Sequence, residues 1–203
     1  MPPSANWNRA YGTPWRRGQG RQVYDNPWIT VTEFQATAPT GSPAIYGLVE
    51  FKNRALAILA IHEDGTVELV GQNRLPFSDY SWEIPEGGGP LNEDPIDGAK
   101  RELLEETGLI ASEWQEILRL QLSNSVTNEL AVGYVALGLT QSVALEIDPT
   151  EDIARARVPF REVLGLVLDG KITDALTVAM MLRAYHMAKE DGLPRGLARN
   201  MLE

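Results

Sequence analysis

The segment Ile29-Thr30-Val31-Thr32-Glu33-Phe34 alternates apolar and polar residues, the period of a half-buried strand. Thr40-Gly41-Ser42-Pro43 breaks that run, and two more strand-like runs follow, Ile45 to Phe51 and Ala55 to His62. Glu63-Asp64-Gly65 then leads into Thr66 to Gln72, which predicts a hairpin within a meander of strands. Trp82-Glu83-Ile84-Pro85 is short and apolar and passes into Glu86-Gly87-Gly88-Gly89-Pro90, which reads as a loop. The clearest helix has Asp94 as N-cap, Pro95 in the first turn and Gly108 as its left-handed stop. Strand-like runs return at Ile117 to Leu122, Leu130 to Leu139 and Ala156 to Pro159, and two helical patterns close the chain. The last of these spans Asp174 to Lys189, with Ala175, Val178, Ala179, Leu182 and Tyr185 at helical spacing.

Composition narrows the class. The 203 residues suffice for one sizeable core with a smaller appendage. Apolar residues make up 43%, and no apolar run reaches the length of a bilayer, so no membrane partner is expected. Residues 1–22 lack the apolar stretch of a secretory signal and read as a mobile or partner-docked arm. Its Arg16, Arg17 and Arg21 are either solvated or an attraction for phosphate. The absence of cysteine excludes disulfides, thiolate zinc sites and cysteine nucleophiles, and fits a reducing cytoplasm. With 28 acidic against 18 basic residues the formal charge is -10, which argues against a nucleic acid polymer as partner. A phosphorylated small molecule stays compatible with that charge when metal ions stand between carboxylates and phosphates.

The helix after Asp94 carries such carboxylates. Glu102, Glu105 and Glu106 are spaced i, i+3, i+4 and share one side of the cylinder, where like charges repel. Arg101 can pair with Glu105, but one arginine does not neutralise three glutamates and Glu93 as well. A solvated acidic face is one outcome of this pattern. The other is a divalent cation, since Mg2+ and Mn2+ prefer hard carboxylate oxygens. Ile96, Ala99, Leu103 and Thr107 point elsewhere, so the helix can pack on a sheet while turning its acids to a cleft. Gly98 inside it costs roughly 1 kcal/mol relative to alanine, which suggests close packing or a close approach by the loop.

From Gly87 the chain reads Gly, five residues, Glu93, seven residues, then Arg101-Glu102-Leu103-Leu104-Glu105-Glu106-Thr107-Gly108-Leu109. This matches every fixed position of the box of the Nudix hydrolase family, G-x5-E-x7-R-E-U-x-E-E-x-G-U, with U a bulky aliphatic residue. The resemblance implies an α+β Nudix fold, a mixed sheet sandwiched between helices, and hydrolysis of a nucleoside diphosphate linked to another moiety. It implies Glu102 and Glu106 as metal ligands, with Glu105 beside them as a further ligand or catalytic acid and the Glu86 carbonyl completing the shell. Gly87, Arg101 and Glu93 are implied as structural support. The flanks resemble the ADP-ribose and nucleotide-sugar diphosphatase branch. Trp82-Glu83-Ile84-Pro85-Glu86-Gly87 resembles its L-E-x-P-A-G, and Val70-Gly71-Gln72-Asn73-Arg74 its Q-x-R strand, whose arginine reaches substrate phosphate. Gly170-Lys171-Ile172-Thr173-Asp174-Ala175 resembles its G-x-I-x-D-A helix start.

Against the branch's S-P-G-x-S-x-E segment, Ser123-Asn124-Ser125-Val126-Thr127-Asn128-Glu129 keeps the acid, Glu129, as a substrate contact. Asn124 replaces the proline, which leaves ADP-ribose and other nucleotide sugars such as GDP-mannose open. A general base is implied in Glu146 to Asp152. Glu151 is the first choice and Asp148 or Glu146 are substitutes, because Pro149 takes the place of an earlier glutamate. Trp28 either stacks on a nucleobase, as aromatics of the N-terminal sheet do in the branch, or is a buried strand tryptophan. The resulting layout is an arm, residues 1–22, an antiparallel N-terminal sheet, 23–54, and the hydrolase domain, 55–203. The branch implies Mg2+ or Mn2+ as cofactor and a homodimer formed through the N-terminal sheet. Alternatives are hydrolysis of NADH or dinucleoside polyphosphates, and a non-catalytic nucleotide-binding regulator.

Overall fold

A computed structural model describes residues 10–142 and 152–203, which fall into two compact units. The first comprises the described residues up to Lys52 together with Ser123–Asn128. It is an antiparallel sheet of β1 (Arg16–Asp25), β2 (Ile29–Thr37) and β3 (Pro43–Phe51), in that order. Residues 16–22, expected within an arm, are thus the first part of β1. The β1–β2 turn is closed by Asn26, whose Oδ1 accepts from the N–H groups of Trp28, at 2.9 Å, and Ile29, at 2.7 Å. Trp28 therefore lies in a turn and is 64% exposed, which removes the buried-strand alternative and leaves the stacking role as an expectation. Residues 123–128 add to the β3 side: Val49 donates to the Val126 carbonyl, and Phe51 N–H to Asn128 Oδ1. Among the described residues of this unit only Leu48 is buried.

The second unit holds two sheets and four helices. One sheet has the order β7-β4-β9-β8, formed by β4 (Asn53–Ala60), β7 (Glu86–Pro90), β8 (Leu109–Gln121) and β9 (Leu130–Gln141). It is mixed, since β4 and β9 run parallel while the other pairs are antiparallel. The other is antiparallel, ordered β10-β5-β6, with β5 (Thr66–Arg74), β6 (Asp79–Glu83) and β10 (Ala154–Pro159). Leu56, Ile58 and Ala60 of β4 pack with Ala99 and Leu103 of α1 (Pro95–Thr107). Ala57 and Leu59 face the opposite core, built with α2 (Phe160–Leu168), α3 (Ala175–Lys189) and α4 (Arg195–Leu202). Burial on both faces explains why β4 reads as a continuous apolar run rather than an alternating one. The architecture is the expected mixed sheet between helices, with a separate antiparallel sheet of N-terminal strands.

Three local expectations change. The turn at 63–65 forms, with His62 N–H donating to the Thr66 carbonyl at 2.9 Å, but β4 and β5 share only the bridge Ile61–Val67. Both edges of β4 are taken by β7 and β9, so β5 enters the other sheet and no hairpin forms. The glycine-rich stretch expected as a loop is strand β7, paired with β4 from Ala57–Glu86 to Asn53–Pro90. After the last strand there are three helices, not two, because α4 is short and mixed in polarity.

Candidate active site

Helix α1 is set by its ends. The Asp94 side chain accepts from Ile96 N–H, and Gly108, at φ 71°, donates its N–H to the Leu104 carbonyl at 2.8 Å. Between these caps the helix presents its acids unequally. Glu106 is 3% exposed and accepts the Glu86 N–H at 2.9 Å, which ties the helix to the start of β7. Glu102 lies against Gly87, where a Cβ would overlap its carboxylate; this close approach is what the first glycine of the motif permits. Gly98 likewise meets Glu93, since a Cβ there would stand 2.9 Å from Glu93 Oε2.

Arg101 is the local counter-charge. Its Nη1 donates to Glu102 Oε1 at 2.7 Å and to Glu105 Oε2 at 2.9 Å, and its Nη2 to the Gly88 carbonyl at 2.9 Å. Glu93 Oε2 stands 3.9 Å from Nη2 and has no hydrogen-bond partner among the described residues. The carboxylates of Glu93, Glu102 and Glu105 therefore face one guanidinium, an excess of negative charge in a partly buried corner. Hard oxygen donors in that excess fit a Mg2+ or Mn2+ ion.

A second acidic group adjoins the first through Glu86. Ile84 N–H donates to the buried Thr177 hydroxyl at 3.0 Å, and Thr177 N–H to Asp174 Oδ2 at 2.7 Å. These bonds bring the N-terminus of α3 to the stretch before β7, so Glu83, Glu86 and Asp174 offer oxygens within 4.8 Å of one another. Arg74 lies among them. Its Nε donates to both Glu83 oxygens, at 3.0 and 3.1 Å, and its Nη2 to Glu83 Oε2 and, at 2.8 Å, to Glu86 Oε1. Burial opposes ionisation of Glu83, but the Arg74 and Ser81 hydrogen bonds outweigh it and hold the carboxyl below its ordinary range. Glu86 is driven the other way. Burial, then the charges of Asp174 and Glu83, push it well up, and its Oε2 is buried with no hydrogen-bond partner among the described residues. Glu83 keeps Arg74 firmly protonated.

Arg74, Phe77, Tyr80, Glu83, Glu129 and Asp174 line one cleft of about 700 Å³. Arg74 and Glu129, expected as substrate contacts, thus share a wall, and burial raises the Glu129 carboxyl above its ordinary value. Glu151, Asp148 and Glu146 lie outside the described residues. Glu83 and Asp174 were visible in the sequence only as motif positions; their meeting across the chain carried no local signal, and the side chain of Glu86 drew none.

The NUDIX domain model matches residues 51–179. The ADP-ribose pyrophosphatase of Mycobacterium tuberculosis is 32% identical over 145 residues, covering 70% of this chain and 70% of that protein. The GDP-mannose pyrophosphatase of Yersinia pestis is 28% identical over 139 residues, covering 64% and 69%. A crystal structure described as an ADP compounds hydrolase superposes with a TM-score of 0.80 at 19% identity, over 91% of this chain and 99% of that one, and shares the fold. With the family model spanning residues 51–179 and the box running from β7 through the capped helix α1, the protein belongs to the Nudix family.

Proposed function

We propose that this Nudix pyrophosphatase cleaves the diphosphate bond of a nucleotide sugar, ADP-ribose or another nucleoside diphosphate sugar, into a nucleoside monophosphate and a sugar phosphate. Mg2+ is the proposed cofactor, with Mn2+ as a substitute. The observation that carries this reading is the convergence at Glu86, whose N–H holds Glu106 while its carboxylate holds Arg74. The helix proposed to hold the metal and the arginine proposed to read phosphate are thus joined through one residue. The reactions named for the Mycobacterium and Yersinia relatives support a nucleotide-sugar substrate.

Glu102, Glu105, Glu106 and the Glu86 carbonyl are the proposed ligands of the metal, which supplies neutralisation of the diphosphate and a water of lowered pKa. Arg101 fixes the rotamers of Glu102 and Glu105. Arg74 binds a phosphate oxygen, and Glu129 accepts a hydrogen bond from a sugar hydroxyl. Glu151 is the proposed acceptor of the proton of the attacking water, with Asp148 or Glu146 as substitutes. Trp28 offers an exposed ring to a nucleobase. A cytoplasmic homodimer joined through the N-terminal sheet is part of the reading.

The test is Mg2+-dependent phosphate release, coupled to a phosphatase, from ADP-ribose, GDP-mannose, UDP-glucose, NADH and a dinucleoside polyphosphate. Turnover of the nucleotide sugars is expected, with loss of about 100-fold or more in Glu106→Gln, whose amide still accepts the Glu86 N–H. Preference for NADH or the polyphosphate would redirect the substrate assignment. Binding of the panel without turnover would identify a regulator instead.

A further inference from the structure

We infer that the Glu86 side chain is a positioning residue that orients Arg74 toward the diphosphate, an inference that rests on the proposed reaction. Nε and Nη2 are spent on Glu83 and Glu86, whereas both N–H groups of Nη1 have no hydrogen bond among the described residues. Arg74 lines the cleft, and its side chain is 34% exposed while that of Glu86 is 14% exposed. Two carboxylates thus grip the buried edge of a planar fork and leave the other edge to a ligand, the arrangement in which an arginine reads a phosphate with least loss of freedom.

The paired Nε and Nη2 bonds to Glu83 set the guanidinium in the plane of that carboxylate. Glu86 Oε1, 2.8 Å from Nη2, adds a second carboxylate at the far end of the fork, so that the Arg74–Glu83 pair is anchored from two residues and not one. The carboxylate is also expensive where it stands, because its Oε2 is buried and has no hydrogen-bond partner among the described residues. The motif that this stretch resembles has alanine at the position, so the family chemistry does not require the side chain. Its main chain already serves the helix through the Glu106 contact. Substitution of the side chain by any residue but proline therefore separates the two roles, since the N–H and the carbonyl are retained.

The experiment is steady-state kinetics on the full chain with saturating Mg2+, using the panel member that wild type turns over fastest. Glu86→Ala is expected to raise KM about fivefold or more, with kcat changed less than about threefold and the Mg2+ concentration for half-maximal rate unmoved. Glu86→Gln keeps an Oε1 acceptor without the charge and is expected to bring KM back to within about twofold of wild type. The Kd of a non-hydrolysable methylene analogue of that substrate gives the same comparison without turnover. An unchanged KM in Glu86→Ala overturns the inference. So does a fall in KM in both variants, which would make Glu86 a repulsive charge, or a joint shift of kcat and Mg2+ requirement, which would make its carboxylate a metal ligand. Failure of wild type to hydrolyse any diphosphate is a separate result, and it removes the reaction on which the inference stands.

Discussion

Glu129 illustrates how one side chain of the cleft can be interrogated apart from catalysis. Burial raises its carboxyl above the ordinary value of 4.5, so the unfolded chain gives up this proton at a lower pH than the folded one. Between 4.5 and the raised folded value the native state binds more protons, and stability falls as pH rises through that window. Urea denaturation should therefore find Glu129→Gln and wild type alike at a pH below 4.5, and the variant the more stable near neutrality; the reverse order would contradict the burial. The residue was legible in the sequence as an acid in a motif, but its depth was not, because depth depends on what Leu122 and α3 place around it. Glu86 was harder still. It was visible for its carbonyl, while its side chain acquires a role only when Arg74, twelve positions earlier, folds back across β6.

At the scale of elements, legibility followed local chemistry. Helix α1 could be bounded by eye because Asp94, Pro95 and Gly108 act on their immediate neighbours. Gly108 stands at φ 71°, where a Cβ is strained, so Gly108→Ala should cost about 1 kcal/mol in thermal or chemical unfolding. The same variant should require more Mg2+ for half-maximal rate, since fraying of the last turn loosens Glu105 and Glu106. A loss of stability with an unchanged metal requirement would show that the glutamates are held by the Glu86 N–H and Arg101 alone. Strand β7 was misread because glycines argue for a turn when only sequence is weighed. In the fold Gly87 makes room for the Glu102 carboxylate of α1 and Gly89 for the Leu56 side chain of β4, constraints imposed by distant elements and therefore absent from the local pattern. The failed β4–β5 hairpin has the same origin: a strand buried on both faces recruits partners from elsewhere, and adjacency in sequence yields to them.

For the whole molecule the N-terminal sheet poses the open energetic question. Its three strands bury one side chain, Leu48, among the described residues, and Ile45 of β3 is 67% exposed. A three-stranded sheet with so little core gains little from hydrophobic burial by itself, and further apolar surface must be covered for the sheet to contribute stability. A second copy is the occupant that the proposed homodimer supplies. Light scattering at micromolar concentration should then return twice the chain mass of 22.4 kDa. A lysine at position 45 would place a charge on that sheet, so Ile45→Lys should weaken the dimer about tenfold or more and lower the measured mass on dilution. Its circular dichroism should match wild type, because an exposed position tolerates lysine in a single chain. A wild-type mass of one chain would exclude the dimer, and a variant that stays dimeric on dilution would move the interface off the Ile45 face of β3.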